Sequence, residues 1–293
     1  MANQARLNLE HWDASLGVQF PKEILQFWDL ATKIKPLEPQ KAFEESLGIT
    51  LVGIFDVLAG KFDNMKNKDL LALHWRYSLD PPEFFTVMAK GNQGWHAGYL
   101  LDDCSGKTGC FASSYADEGL SFTVDGKSIF EALQSYLAEE EMNLEDEGLL
   151  EPDCLLIKVK TKVEKYLATQ NIEQLNRGDL LPTLDFGGVP KLESVAEPFK
   201  ELELHSIAEE IWSEKGLEKY SGKARYFLEN QQLGATWKLA RDIWQRGDEE
   251  SLRIAGKFLA EVYAKSARLP FQKILEQHLA DLNREWLDLA DSV

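Results

Sequence analysis

The sequence is short of the features that mark several large protein classes. It has three cysteines in 293 residues, an odd and low number that does not build a disulfide framework. Cys104 and Cys110 flank one expected hairpin loop, so a bridge is geometrically conceivable; reduced thiols are the simpler expectation. No apolar run nears the ~20 residues needed to cross a bilayer. Met1-Ala2-Asn3-Gln4 lacks the basic start and apolar core of a secretory signal. The expectation is a cytoplasmic protein with no membrane partner. Positive charge is scarce as well: 32 Lys and Arg stand against 49 Asp and Glu, a net −17. An acidic surface repels nucleic acid and anionic lipid and favours a basic protein partner. Residues 1–150 hold 12 cations against 24 anions, residues 151–293 hold 20 against 25, and Glu139 to Glu147 alone contributes six acids.

Aromatic residues are plentiful, with 15 Phe, 8 Trp and 8 Tyr in a chain that is 44% hydrophobic. That is enough for a sizeable core, and the length favours two domains. Residues 5–16 carry Leu7, Leu9, Trp12 and Leu16 at helical spacing, stopped by Gly17. A second helix follows Pro21, with Ile24, Leu25, Phe27, Trp28 and Ala31 as its apolar stripe, broken by Pro36 and Pro39. Residues 47–60 mix a β-branched run with a helix-like end, predicting a strand near Ile49 to Ile54 and then a helical turn or two. Leu70 to Tyr77 fits either strand or helix.

The chain is organised around Pro81 to Leu137. PPEFFTVMAK turns at Gly91-Asn92-Gln93-Gly94, returns as WHAGYLLDD, turns through CSGKTG and continues as CFASSYA and LSFTVDG. Successive short strands with Gly-bearing loops predict an antiparallel meander. KSIFEALQSYLAEEE then predicts a helix, with Ile129, Phe130, Leu133, Tyr136 and Leu137 on its covering face. Glu139 to Asp153 reads as an acidic link. Residues after it begin with strand-like alternation and end with helical spacing, and three prolines between 176 and 200 predict an extended connector. From about residue 201, stripes such as Trp237, Ala240, Trp244 and Leu252, Ala255, Leu259 predict four or five short helices broken at Gly216, Gly222, Gly234, Gly247 and Pro270. The expected division is 1–140, 141–200 and 201–293.

The order of these segments resembles the SUKH superfamily of fungal cell-wall-synthesis regulators and bacterial toxin-neutralising proteins. The matching residues are Leu16, Gly17, Phe20, Pro21, Glu23 and Ile24 at the entrance helix; Gly94, Gly98, Tyr99, Leu101 and Asp102 in the central hairpin; and Ser128, Ile129, Phe130, Leu133 and Leu137 in the closing helix. The match covers roughly residues 10–140. It implies an α+β domain with a bent antiparallel sheet and flanking helices, here followed by an all-α C-terminal domain. It further implies protein binding, including toxin immunity, without shared catalytic residues.

Chemistry-bearing motifs are few. CSGKTG lacks the first glycine of a phosphate loop, position 101 being Leu, and it joins two strands rather than a strand and a helix. Asp185-Phe186-Gly187 resembles a kinase metal-binding triplet without the other kinase loops. Cys104, Cys110, Cys154 and His96 lack the paired spacing of zinc sites. Asp102-Asp103 and Asp117-Glu118 are expected on one rim of the sheet. Carboxylates there suit a basic protein surface better than acid–base chemistry, which would need burial to split their pKa values. His96 and His74, each beside a tryptophan, read as hydrogen-bonded core residues. Trp237, Trp244 and Trp286 read as core. The expectation is a non-enzymatic protein-binding module with no cofactor or metal. The alternatives are a hydrolase using Asp102, Asp103 and His96 at an interdomain cleft, or a helical assembly protein.

Overall fold

The structure, a computed structural model, describes residues 2–63, 65, 68–91, 94–101, 103–106, 109–116, 122–172, 185–186, 211–280, 282 and 289. The chain opens with α1 (Ala2–Leu16) and α2 (Glu23–Ile34), then a 3₁₀ turn at Pro39–Lys41 and α3 (Glu44–Leu47). Next come β1 (Ile49–Leu51), α4 (Ile54–Leu58) and a 3₁₀ segment at Lys68–Leu73. The meander is β2 (Phe84–Lys90), β3 (Trp95–Leu101), β4 (Gly109–Tyr115) and β5 (Phe122–Gly126). It leads into α5 (Ile129–Asp146), α6 (Leu155–Gln170) and the two-residue β6 (Asp185–Phe186). The described C-terminal part is helical: α7 (Glu214–Glu229), α8 (Leu233–Trp244), α9 (Glu249–Lys265) and α10 (Leu269–Ala280).

The expected α+β architecture with a helical C-terminal part is therefore present. Among the described residues, six antiparallel strands lie in chain order, β1 to β6. Register shifts between Thr86 and Met88 and between Phe111 and Ala112 insert an extra residue and bend the sheet. Gly98 faces Thr86 across the first shift, and a Cβ built on it would lie 1.9 Å from the Phe85 carbonyl oxygen. Only glycine lets β2 and β3 approach so closely.

Phe27 of α2 is the hub of the core on one face of the sheet. Its ring meets Phe43, Phe55 and Phe130 at centroid distances of 5.3 to 5.8 Å. Glu23, one turn earlier, ties three elements together: its Oε1 accepts from the Tyr99 hydroxyl at 2.6 Å and from the Ile129 N–H at 3.1 Å. Burial pushes that carboxyl up, against the lowering effect of these two donors. Ser128 caps α5, its hydroxyl accepting from the Glu131 N–H at 3.1 Å.

Three local readings change. Of the expected helix breaks only Gly247 lies between helices; Gly216 and Gly222 are inside α7, Gly234 inside α8 and Pro270 inside α10, in their first turns except for Gly222. Residues 155–170 form one helix, not a strand running into a helix. Their alternating start is overridden by Leu156, Val159, Val163, Tyr166 and Leu167, which bury one helical face against α2, α3 and α5, with the Tyr166 hydroxyl on the Gln26 carbonyl at 2.8 Å. Pro81 to Glu83, expected at the head of a strand, forms a turn before β2. Among the described residues, no helix is long and apolar enough to cross a membrane.

Gly98→Ala is expected to lower the unfolding free energy by about 3 kcal/mol or more, because backbone must move to admit the methyl. Gly222→Ala, at an exposed α7 position with nothing within 4 Å of the new Cβ, is expected to raise it by about 0.5–1 kcal/mol. Urea unfolding of both variants checks the pair.

Candidate functional site

The most heavily invested polar site is buried between the sheet and the C-terminal helices. Glu83, just before β2, is 2% exposed. Its Oε1 accepts from Trp237 Nε1 at 3.0 Å and from the Tyr263 hydroxyl, and its Oε2 accepts from Arg241 Nη1 at 3.1 Å. α8 presents Trp237 and Arg241 four residues apart, hence on one face, and α9 supplies Tyr263. Burial drives the Tyr263 phenol well above its ordinary range, with the Glu83 charge adding to it.

Arg76 clamps the same turn from the sheet side. Its Nη1 donates to the Pro81 carbonyl at 2.6 Å, its Nη2 to the Phe84 carbonyl at 2.9 Å and its Nε to the Ala72 carbonyl at 3.2 Å. Trp244 Nε1 of α8 donates to the Leu79 carbonyl at 3.1 Å, and His278 Nε2 of α10 donates to the Ser78 carbonyl at 2.9 Å. Residues 78–83 are thus gripped from both sides. With two donors on one Glu83 oxygen and a guanidinium on the other, this carboxylate is committed to a structural latch and is not placed to abstract a proton.

The histidines named from sequence are core residues, as expected. His96 is 1% exposed; Nδ1 meets the Gly94 carbonyl at 2.8 Å, Nε2 meets Asp80 at 3.0 Å, and the ring stacks on Tyr77. Burial works against its charge, but Asp80 and the Gly94 carbonyl outweigh it and its pKa is raised. His74 bonds Asp56 at 2.9 Å through Nε2 and accepts from the Leu289 N–H at 3.1 Å through Nδ1. With both ring nitrogens engaged inside the core, neither can serve the hydrolase alternative.

Of the acidic residues expected on one rim, Asp103 alone is among the described residues. Asp103 lies in the β3–β4 connection, its carboxylate accepting from the Ser105 N–H at 2.6 Å. Asp102, Asp117 and Glu118 lie outside the described residues. β4 begins opposite Leu101 and ends at Tyr115 opposite Trp95, so the connections before and after it leave from opposite ends of the strand.

The weaker motifs have structural explanations. Gly106 of CSGKTG packs so that a Cβ would meet the Gln19 carbonyl at 2.0 Å; Lys107 and Thr108 lie outside the described residues. Asp185 and Phe186 pair with Thr123 and Phe122 as β6. None of the three cysteines is in a disulfide and all are half-buried; burial pushes the Cys104 thiol to about 11. Among the described residues, no three His, Cys, Asp or Glu side chains gather as a metal site.

On the surface, the second half of α5 and the turn after it are acidic. Glu139 to Asp153 contains eight Asp and Glu and no cation. Glu145, Asp146 and Glu147 are exposed at the C-terminal end of α5, where no basic residue stands. A helix C-terminus carries partial negative charge and favours cations, so these acids sit at the disfavoured end. Met142 and Leu149 are exposed among them.

A sequence model of one protein family, described as histone PARylation factor 1, matches residues 8–178. Histone PARylation factor 1 of Mus musculus is 25% identical over 299 residues, covering 92% of this chain and 86% of its own length. The Danio rerio protein is 27% identical over 305 residues, covering 92% and 84%. A putative histone PARylation factor 1-like protein of Homo sapiens is 22% identical over 304 residues, covering 95% and 86%. The SUKH resemblance, and with it the toxin-immunity reading, is overturned by these matches. The residues that carried it serve turns and packing that unrelated bent sheets share. Gly94 needs its positive φ, Gly98 the close strand approach, and Ile129, Phe130 and Leu133 fill the core.

Two outcomes follow from the buried seam. Glu83→Ala is expected to cost about 3–5 kcal/mol by stranding Arg241 without its carboxylate, read from urea unfolding. His278, held down at about 4 by burial and by Arg76, has a folded pKa below its unfolded value of 6.5. Its stabilising contribution is full above pH 6.5 and is lost as pH falls through about 4. Wild type is therefore expected to lose stability more steeply than His278→Gln across that window. Asp13 and Asp125, both raised to about 6 chiefly by burial, act oppositely, their contribution being lost as pH rises through about 6.

Proposed function

This chain belongs to the histone PARylation factor 1 family, and from that premise we propose that it is a non-enzymatic accessory factor in the poly(ADP-ribosyl)ation of histones. Its contribution is to bind a basic histone segment at the acidic end of α5. The observation that carries this reading is electrostatic. Glu145, Asp146 and Glu147 crowd a helix C-terminus with like charge, against the helix dipole and with no cation from Glu139 to Asp153. Lys and Arg from a histone would relieve both repulsions at once, and Met142 and Leu149 offer apolar footing beside them.

The expectation of a protein partner with a basic surface is kept, with its chemistry narrowed to histones. The non-enzymatic role is supported by the commitment of Glu83, His74 and His96 to the core. Asp102-Asp103 and Asp117-Glu118 are proposed as two separate secondary contacts rather than one rim. A histone-directed role implies the nucleus, which replaces the cytoplasmic expectation.

Calorimetric titration with a histone H3 tail peptide at about 150 mM salt tests the reading, since exposed charge pairs are heavily screened there. Glu145→Lys/Asp146→Lys/Glu147→Lys is expected to weaken binding at least tenfold while the melting temperature holds or rises, since cations suit a helix C-terminus. Equal affinity in the triple variant would remove the acidic end of α5 from the histone site.

A further inference from the structure

The net charge of −17 conceals a local reversal. Immediately after the acidic turn, α6 carries Lys158, Lys160, Lys162 and Lys165 against a single acid, Glu164. The helix is anchored through Leu156, Val159, Val163, Tyr166 and Leu167, so its opposite side is held rigidly toward solvent. Lys158, Lys162 and Lys165 are all exposed on that side, at spacings of four and three that align them in one stripe about 10 Å long.

Their alignment on one exposed face, without carboxylate partners, is what distinguishes them. Lys160 turns toward α5 and bonds Glu141 at 2.7 Å. Lys33, Lys35, Lys41, Arg246, Arg253 and Lys265 likewise reach carboxylates. In a chain with acids in such excess, and with eight of them adjacent in sequence, a lysine finds a partner easily. The side chains of Lys158, Lys162 and Lys165 have none among the described residues. The fold keeps three positive charges aligned, ordered at the backbone and unneutralised.

We propose that this stripe of α6 binds the pyrophosphate backbone of an ADP-ribose polymer. The choice of polymer rests on the histone PARylation reading; the polyanion chemistry rests on the stripe. Three ammonium groups, with no arginine and no exposed aromatic ring between them, can read phosphate charge but cannot stack bases. The stripe is narrow, and the carboxylates of Glu139 to Asp153 adjoin it. A stiff duplex laid along α6 would carry further phosphates toward those acids. A flexible chain with paired phosphates can touch the three lysines and curve away. The acidic end of α5 and the basic stripe of α6 would then hold a histone segment and the polymer side by side.

Fluorescence anisotropy of the full chain with labelled poly(ADP-ribose), and with a DNA duplex of matched charge, tests this. Lys158→Glu/Lys162→Glu/Lys165→Glu, all at exposed sites, is expected to bind the polymer at least tenfold more weakly at about 150 mM salt. The log–log salt dependence should become shallower by about 2, at roughly 0.7 per lost phosphate contact. The wild type is expected to prefer the polymer to the duplex, and histone H3 peptide binding by the triple variant should be at least wild-type. Polymer binding by a wild type that ignores histone would overturn the acidic-end reading and leave the stripe standing. Unchanged polymer affinity in the triple variant, no polymer binding by wild type, or equal binding of the duplex would overturn the stripe.

Discussion

Burying the Glu83 carboxylate is the constraint on which the junction of this fold depends. A lone carboxylate taken out of water is heavily penalised unless its charge is matched and its lone pairs are filled. Arg241 supplies the charge, while Trp237 and Tyr263 supply the remaining donors, and these three groups come from α8 and α9. The helical part and the sheet can therefore meet in only one register. A sliding of α8 by one turn would strand both Glu83 and Arg241. Arg76, Trp244 and His278 add bonds to the same short turn, so the residues that lead into β2 serve as the hinge pin of the molecule.

That pin also accounts for the buried groups whose ionisation is altered. Carboxylates and imidazoles with altered ionisation are usual marks of an active site. Here His96, His278, Tyr99 and Tyr263 are shifted by burial and by the charged groups beside them, and each is consumed in holding elements together. Among the described residues, what remains available to partners is surface charge. It is arranged as two neighbouring fields of opposite sign, one at the end of α5 and one along α6. Such a surface suits a protein that brings other molecules together.

Much of the fold was legible locally. The apolar spacing in FPKEILQFW, the Gly-bearing hairpins and the SIFEALQSYL stripe each predict the element observed, because one buried face sets the periodicity of each. The start of α6 was not: LLIKVKTKV alternates, and the choice of helix is made by contacts with α2, α3 and α5. Nor was the Glu83 latch, whose partners are 154 to 180 residues away. A faint signal existed in a single acid set between two prolines and two phenylalanines, and in Lys238, Arg241 and Asp242 inside a helix apolar on every side. The family resemblance failed because glycines and apolar residues needed by any bent sheet carry little ancestry.

The central claim is that the acidic end of α5 receives a histone. Zero-length carbodiimide coupling joins a carboxylate to an amine only when the two are in contact, and peptide mapping then locates the joined residues. With this chain and core histones, coupled carboxylates are expected to concentrate between Glu139 and Asp153. Coupling spread evenly over the acids of the chain, or concentrated away from α5 and the turn after it, would contradict the account.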